Sequence, residues 1–93
     1  MATKVHAAHI LVNSQLRAQQ LIGRIRNGES FEALAKEYST CPSRDNGGDL
    51  GYFERGMMVK PLEDAAFNGN VGEIVGPVKT DFGYHVIKII AME

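Results

Sequence analysis

The chain has 93 residues, 44% of them hydrophobic and 23% charged, with a net charge of −1. That length makes one small domain over residues 1–93, and a near-neutral charge gives no overall field for nucleic acid or an anionic membrane. No apolar run approaches the ~20 residues of a membrane span, "MATKVHAAHILV" lacks the apolar core and cleavage site of a signal peptide, and a lone cysteine, Cys41, closes no internal disulfide; a complete, cytoplasmic, monomeric protein is expected.

"KVHAAHILV" is rich in β-branched residues and alternates, which predicts a strand at about 4 to 12. Ala7, His9 and Leu11 fall on one face, and His6, Ala8, Ile10 and Val12 on the other. Asn13 and Ser14 can cap a helix, whose apolar face is Ala18, Leu21, Ile22 and Ile25 and which Asn27-Gly28 ends. Ser30 caps a second helix with Glu32 in its first turn and Phe31, Leu34, Ala35 and Tyr38 at helical spacing. "YSTCPSRDNGGDLGYF", residues 38 to 53, then holds the one thiol in front of a polar, glycine-rich turn, with a short strand at 50 to 53. Pro61 suits the first turn of a third helix, which carries Leu62, Ala65 and Ala66 and ends at Asn68-Gly69. "GPV" predicts a short strand near 77 to 79, and "GYHVIKIIAM" a long one at about 84 to 92. In the latter His85, Ile87 and Ile89 share a face opposite Tyr84, Val86, Lys88 and Ile90. Both terminal strands are apolar on both faces, which places them in the middle of a sheet covered by helices.

Four constellations could carry chemistry. His9 and His85 each sit on an apolar face of a terminal strand, so neighbouring strands would bring the imidazoles together; the plainer reading is two separate buried histidines, each bonded to backbone. Thr80 could join such a pair. A zinc site would need His6 and His9 on one face, but three residues apart in a strand they point to opposite faces, and there is no CxxC or HExxH. Neither a metal nor any other cofactor is expected. Cys41 could be a nucleophile beside a histidine, but it shows none of the local signatures of cysteine enzymes, and its spacing favours the plainer reading of a small buried hydrophobe in a loop. Finally, Leu50, Met57, Met58, Leu62, Phe67 and Phe82 form an apolar set. Adjacent Met57 and Met58 cannot both face one core, and Phe82, in a tight turn between Asp81 and Gly83, is oddly placed for a core aromatic.

Taken together, "HAAHILV", "LAKEYSTCPS", "NGGDLGYFERGMM" and "GPVKTDFGYHVIKI" closely resemble the parvulin family of peptidyl-prolyl cis/trans isomerases, in order and over nearly the whole chain. The resemblance implies an α+β fold, a four-stranded antiparallel sheet wrapped by helices. It places the family's paired histidines on His9 and His85, its active-site cysteine on Cys41 and its network threonine on Thr80. The proline-pocket residues fall on Met58, Leu62 and Phe82, with Leu50 at the pocket side. Position 62 departs from the common phenylalanine, which leaves less aromatic wall there. The implied activity is rotation about X–Pro bonds in proline-containing peptides and unfolded or flexible protein segments, assisting folding. The alternatives are a non-catalytic peptide-binding or chaperone module using the same groove, and a hydrolase built on Cys41. Phosphate-directed parvulins carry a longer basic loop after the first strand. Here the junction is "LVNSQLRAQQ" with Arg17 alone, so no preference for phosphoserine-proline is expected.

Overall fold

The computed structural model describes residues 2–93. The elements in chain order are β1 (Val5–Val12), α1 (Gln15–Arg26), α2 (Phe31–Tyr38), a 3-10 helix (Pro42–Asn46), β2 (Asp49–Phe53), α3 (Lys60–Asn68), β3 (Ile74–Thr80) and β4 (Gly83–Met92). The strands form one antiparallel sheet in the order β2-β1-β4-β3, so the two terminal strands are central, as their two-faced apolar pattern requires. The architecture is the α+β arrangement of a four-stranded antiparallel sheet with helices on both faces.

Local chemistry sets the helix ends. Ser14 Oγ accepts the Arg17 N–H at 3.2 Å and Ser30 Oγ accepts the Ala33 N–H at 3.1 Å, each satisfying one of the open donors of a helix start. On one side of the sheet, Ala8, Ile10, Val12 and Val86 pack with Leu21 and Ile22 of α1 and Phe31 and Leu34 of α2. On the other, Val5, Ala7, Phe53, Ile87 and Ile89 pack with Leu62 and Ala66 of α3. Each large buried side chain contributes about 1.5–3 kcal/mol of transfer free energy, so these two layers carry most of the stability.

Two details depart from the expected boundaries, the start of β3 and the glycine-rich turn. β3 begins at Ile74 rather than near 77, because Ile74 and Val75 pair with Lys88 and Ile87 before a register shift at the cis Gly76–Pro77 bond interrupts the alternation. The third helix begins at Lys60, which puts Pro61 in its first turn as expected, with Val59 preceding it and no side chain capping it. The glycine-rich turn is not all loop, since Pro42–Asn46 form a 3-10 helix that ends at Gly47 in the left-handed region.

Candidate active site

The floor of the site comes from the pairing of β1 with β4. Leu11 stands opposite His85 and His9 opposite Ile87, so the two histidines are diagonal neighbours on one face. Their Nδ1 atoms are 2.9 Å apart and their rings lie nearly parallel, at 19°. Each remaining nitrogen meets a hydroxyl: His85 Nε2 is 2.7 Å from Thr80 Oγ1, and His9 Nε2 is 3.2 Å from Ser43 Oγ. Thr80 Oγ1 in turn accepts the Phe82 N–H at 3.1 Å. Both rings are buried, and all four imidazole nitrogens are engaged. Burial, aided by the neighbouring His85, pushes the His9 pKa down to about 4, and burial also lowers that of His85. The pair is therefore neutral near pH 7.

Above this floor lies an open groove of about 560 Å³. Thr40, Cys41 and Pro42 form one wall. They are held by the Thr40 N–H, which donates to the Leu11 carbonyl at 2.8 Å, and by buried Ser39, whose Oγ accepts the Leu11 and Cys41 N–H groups. Leu50, Met57, Met58, Val59, Leu62 and Phe82 form the apolar side. Leu62 is 3% exposed and anchors the pocket base, whereas Phe82 and Met57 are 65% and 63% exposed. Met58 is partly buried against the α3 side of the core, so of the two adjacent methionines it is Met57 that faces outward.

The structure thus brings His9, His85, Cys41, Leu50, Met58, Leu62 and Phe82 together around one groove, with Thr80 directly beneath His85. Among the described residues no hydrogen bond joins Cys41 to either histidine, and no cluster of three metal-ligating side chains occurs. His6 bonds Asp49 at 2.7 Å, separately from the His9–His85 pair. Two positioning groups escaped the sequence reading. One is Ser43. The other is Glu63, which is 4% exposed and accepts the Gly56 N–H at 2.5 Å and hydrogen bonds from Arg55 and Lys60 at 3.3 Å. The Gly56 N–H, with Lys60 and Arg55, holds the Glu63 carboxyl below the usual range. It also ties the Gly56–Met58 loop to α3.

A neutral, fully bonded histidine floor under an open apolar groove is the geometry that the sequence resemblance implies for a peptide-binding domain. The PPIC-type PPIase domain model matches residues 1–93, and the chain belongs to this family, the parvulin-type peptidyl-prolyl cis/trans isomerases. The fold of the parvulin NmPin of Nitrosopumilus maritimus superposes with a TM-score of 0.89 at 47% identity, covering 98% of this chain and 99% of that one. CsPin of the psychrophilic archaeon Cenarchaeum symbiosum gives 0.87 at 52% identity, covering 98% and 95%. The Foldase protein PrsA of Geobacillus kaustophilus is 50% identical over 91 residues, 97% of this chain, but the chain spans only 32% of that protein's length.

Proposed function

We propose that this isomerase acts on X–Pro bonds in flexible protein segments, without phosphate specificity, and so assists their folding. The single observation that carries the reading is the pairing of a solvent-open apolar wall, headed by Phe82 at 65% exposure, with a floor whose ring nitrogens are all occupied. Rotation about an X–Pro bond is opposed by amide resonance, a barrier of about 20 kcal/mol. The twisted transition state is less polar than the planar amide, so a dry apolar site disfavours the planar form more. Met58, Leu62 and Phe82 would hold the proline ring while the preceding carbonyl swings past Cys41 and Leu50. His9, His85 and Thr80 would keep the floor in shape. Their low basicity and full bonding support a role without proton transfer.

The absence of phosphate preference is supported at the β1–α1 junction. Only Asn13 and Ser14 separate the two elements, and the nearby Arg17 guanidinium lies over the Tyr38 ring at 5.0 Å. A phosphoserine carries about −1.5 to −2 charges and needs a cluster of donors to leave water. Turnover of Ala-, Leu-, Glu- and phosphoserine-proline peptides at low salt tests this. The leucine or alanine peptide should be turned over at least as fast as the phosphopeptide; a clear phosphopeptide preference would contradict the reading. The exposed large apolar side chains outside the groove are dispersed, with Leu16 on α1, Tyr52 on β2, Val71 in the turn between α3 and β3 and Ile90 on β4, which supports a monomer, to be checked by light scattering. The free, partly exposed Cys41 supports a reducing compartment such as the cytoplasm, to be checked by cell fractionation.

A further inference from the structure

The hydrogen-bond chain under the groove has a direction, and its far end is a residue that the sequence did not single out. Thr80 Oγ1, His85, His9 and Ser43 Oγ stand in line at separations of 2.7, 2.9 and 3.2 Å. Two neutral imidazoles meeting through their Nδ1 atoms hold one proton between those atoms, so the line can run in two senses. In the first, Thr80 donates to His85 Nε2, His85 donates from Nδ1 to His9, and His9 donates from Nε2 to Ser43. In the second, every bond is reversed.

The Phe82 N–H breaks the tie, because it already donates to Thr80 Oγ1 at 3.1 Å. In the reversed sense the Thr80 oxygen would receive two donors, and its own proton would find no acceptor among the described residues, at a side chain only 9% exposed. An unpaired buried hydroxyl donor is costly. At the other end Ser43 is only partly buried, so its own proton can reach water.

The backbone strengthens the same link. The Ser43 carbonyl accepts the Gly48 N–H at 2.9 Å, and the Gly48 carbonyl accepts the His9 N–H at 2.9 Å. A side chain at Gly48, where φ is +85°, would collide with the His9 carbonyl oxygen. The Arg44 N–H donates to the Cys41 carbonyl at 2.9 Å and closes the turn around Ser43. Ser43 is thus fastened to His9 at two points and carries the Cys41–Pro42 wall on its N-terminal side.

We propose that Ser43 is a positioning residue for the isomerisation: as terminal acceptor it holds His9 in the Nε2–H form and His85 in the Nδ1–H form, and it fixes the histidine floor against the Cys41–Pro42 wall. The kinetic part rests on the isomerase reading; the tautomeric part does not. The test is long-range ¹H–¹⁵N correlation on the histidine-labelled full chain at pH 7.5, beside steady-state isomerisation of a Leu-Pro peptide. The wild type should show His9 protonated at Nε2 and His85 at Nδ1. Ser43→Ala should shift the His9 ¹⁵N resonances toward a mixture of tautomers and lower kcat about five- to tenfold, the scale of one lost hydrogen bond, with KM within about twofold. Ser43→Thr, which keeps the hydroxyl, should restore both. The proposal is overturned by a wild type with His9 protonated at Nδ1, or by Ser43→Ala with unchanged ¹⁵N shifts, whether or not turnover falls. It is equally overturned if Ser43→Thr, shown folded, behaves like Ser43→Ala.

Discussion

The two faces of the sheet are built to different rules. On the face covered by α1 and α2, the buried side chains of β1 and β4, Ala8, Ile10, Val12 and Val86, are apolar and meet a closed layer of Leu21, Ile22, Phe31 and Leu34. On the other face the short α3 covers only one end, through Leu62 and Ala66. The uncovered end holds His9, His85 and Thr80, and their polar atoms bond one another and Ser43. One face stabilises the protein. The other leaves part of its apolar surface, Phe82 and Met57 above all, for a substrate to cover.

The sharpest way to break this contrast is to cut each face in turn. Leu21 is fully buried, so Leu21→Ala should cost about 2–5 kcal/mol in urea unfolding, with turnover per folded molecule little changed. A loss below about 1 kcal/mol would mean the closed face is not the stabilising one.

Acid probes the histidine face. The His9 pKa of the folded protein, about 4, lies below its unfolded value near 6.5, so the unfolded state binds more protons between these limits. The contribution is complete above pH 6.5 and is lost as pH falls toward 4. At about 1.4 kcal/mol per pH unit it amounts to roughly 3 kcal/mol for His9, and His85 adds in the same direction. The lowered Glu63 carboxyl acts only at lower pH, below the unfolded carboxylate range. Unfolding free energies at pH 7.5, 6 and 5 should therefore decline, and a flat profile would contradict a neutral buried pair.

Phe82→Ala should separate function from stability: turnover falls about tenfold or more, while stability stays within about 0.5 kcal/mol because the ring is largely solvent-exposed. Loss of several kcal/mol with unchanged activity per folded molecule would make Phe82 part of the core. A smaller effect, a few-fold loss of turnover, is expected for Glu63→Gln. This change weakens the tie of the Gly56–Met58 loop to α3 by roughly one hydrogen bond. Unaltered kinetics would release Met58 from dependence on that loop.

Much of this was legible in the residues. The alternation of "KVHAAHILV" and "GYHVIKIIAM" marked both central strands and put His9 and His85 on matching faces. The awkward positions of Met57, Met58 and Phe82 marked apolar surface, and the family resemblance joined them to Leu62 and Cys41. What stayed hidden depends on distant partners. Ser43 reads as one polar residue in a polar turn, and its bond to His9 spans 34 positions. Glu63, between Lys60 and Asp64 on a helix, reads as part of a solvated charge face; it is buried because the loop before α3 folds over it. The start of β3 was masked by the register shift at Gly76–Pro77.

The central claim is that this groove turns X–Pro bonds without covalent help from its one thiol. Its most direct test is the isomerisation rate of a Leu-Pro peptide with Cys41→Ser and Cys41→Asp, each shown folded by its unfolding curve. Non-covalent catalysis predicts that turnover remains measurable in both, since neither histidine is bonded to Cys41. A nucleophile exchanged for aspartate should lose nearly all activity. Complete loss of turnover in both folded variants would contradict the account.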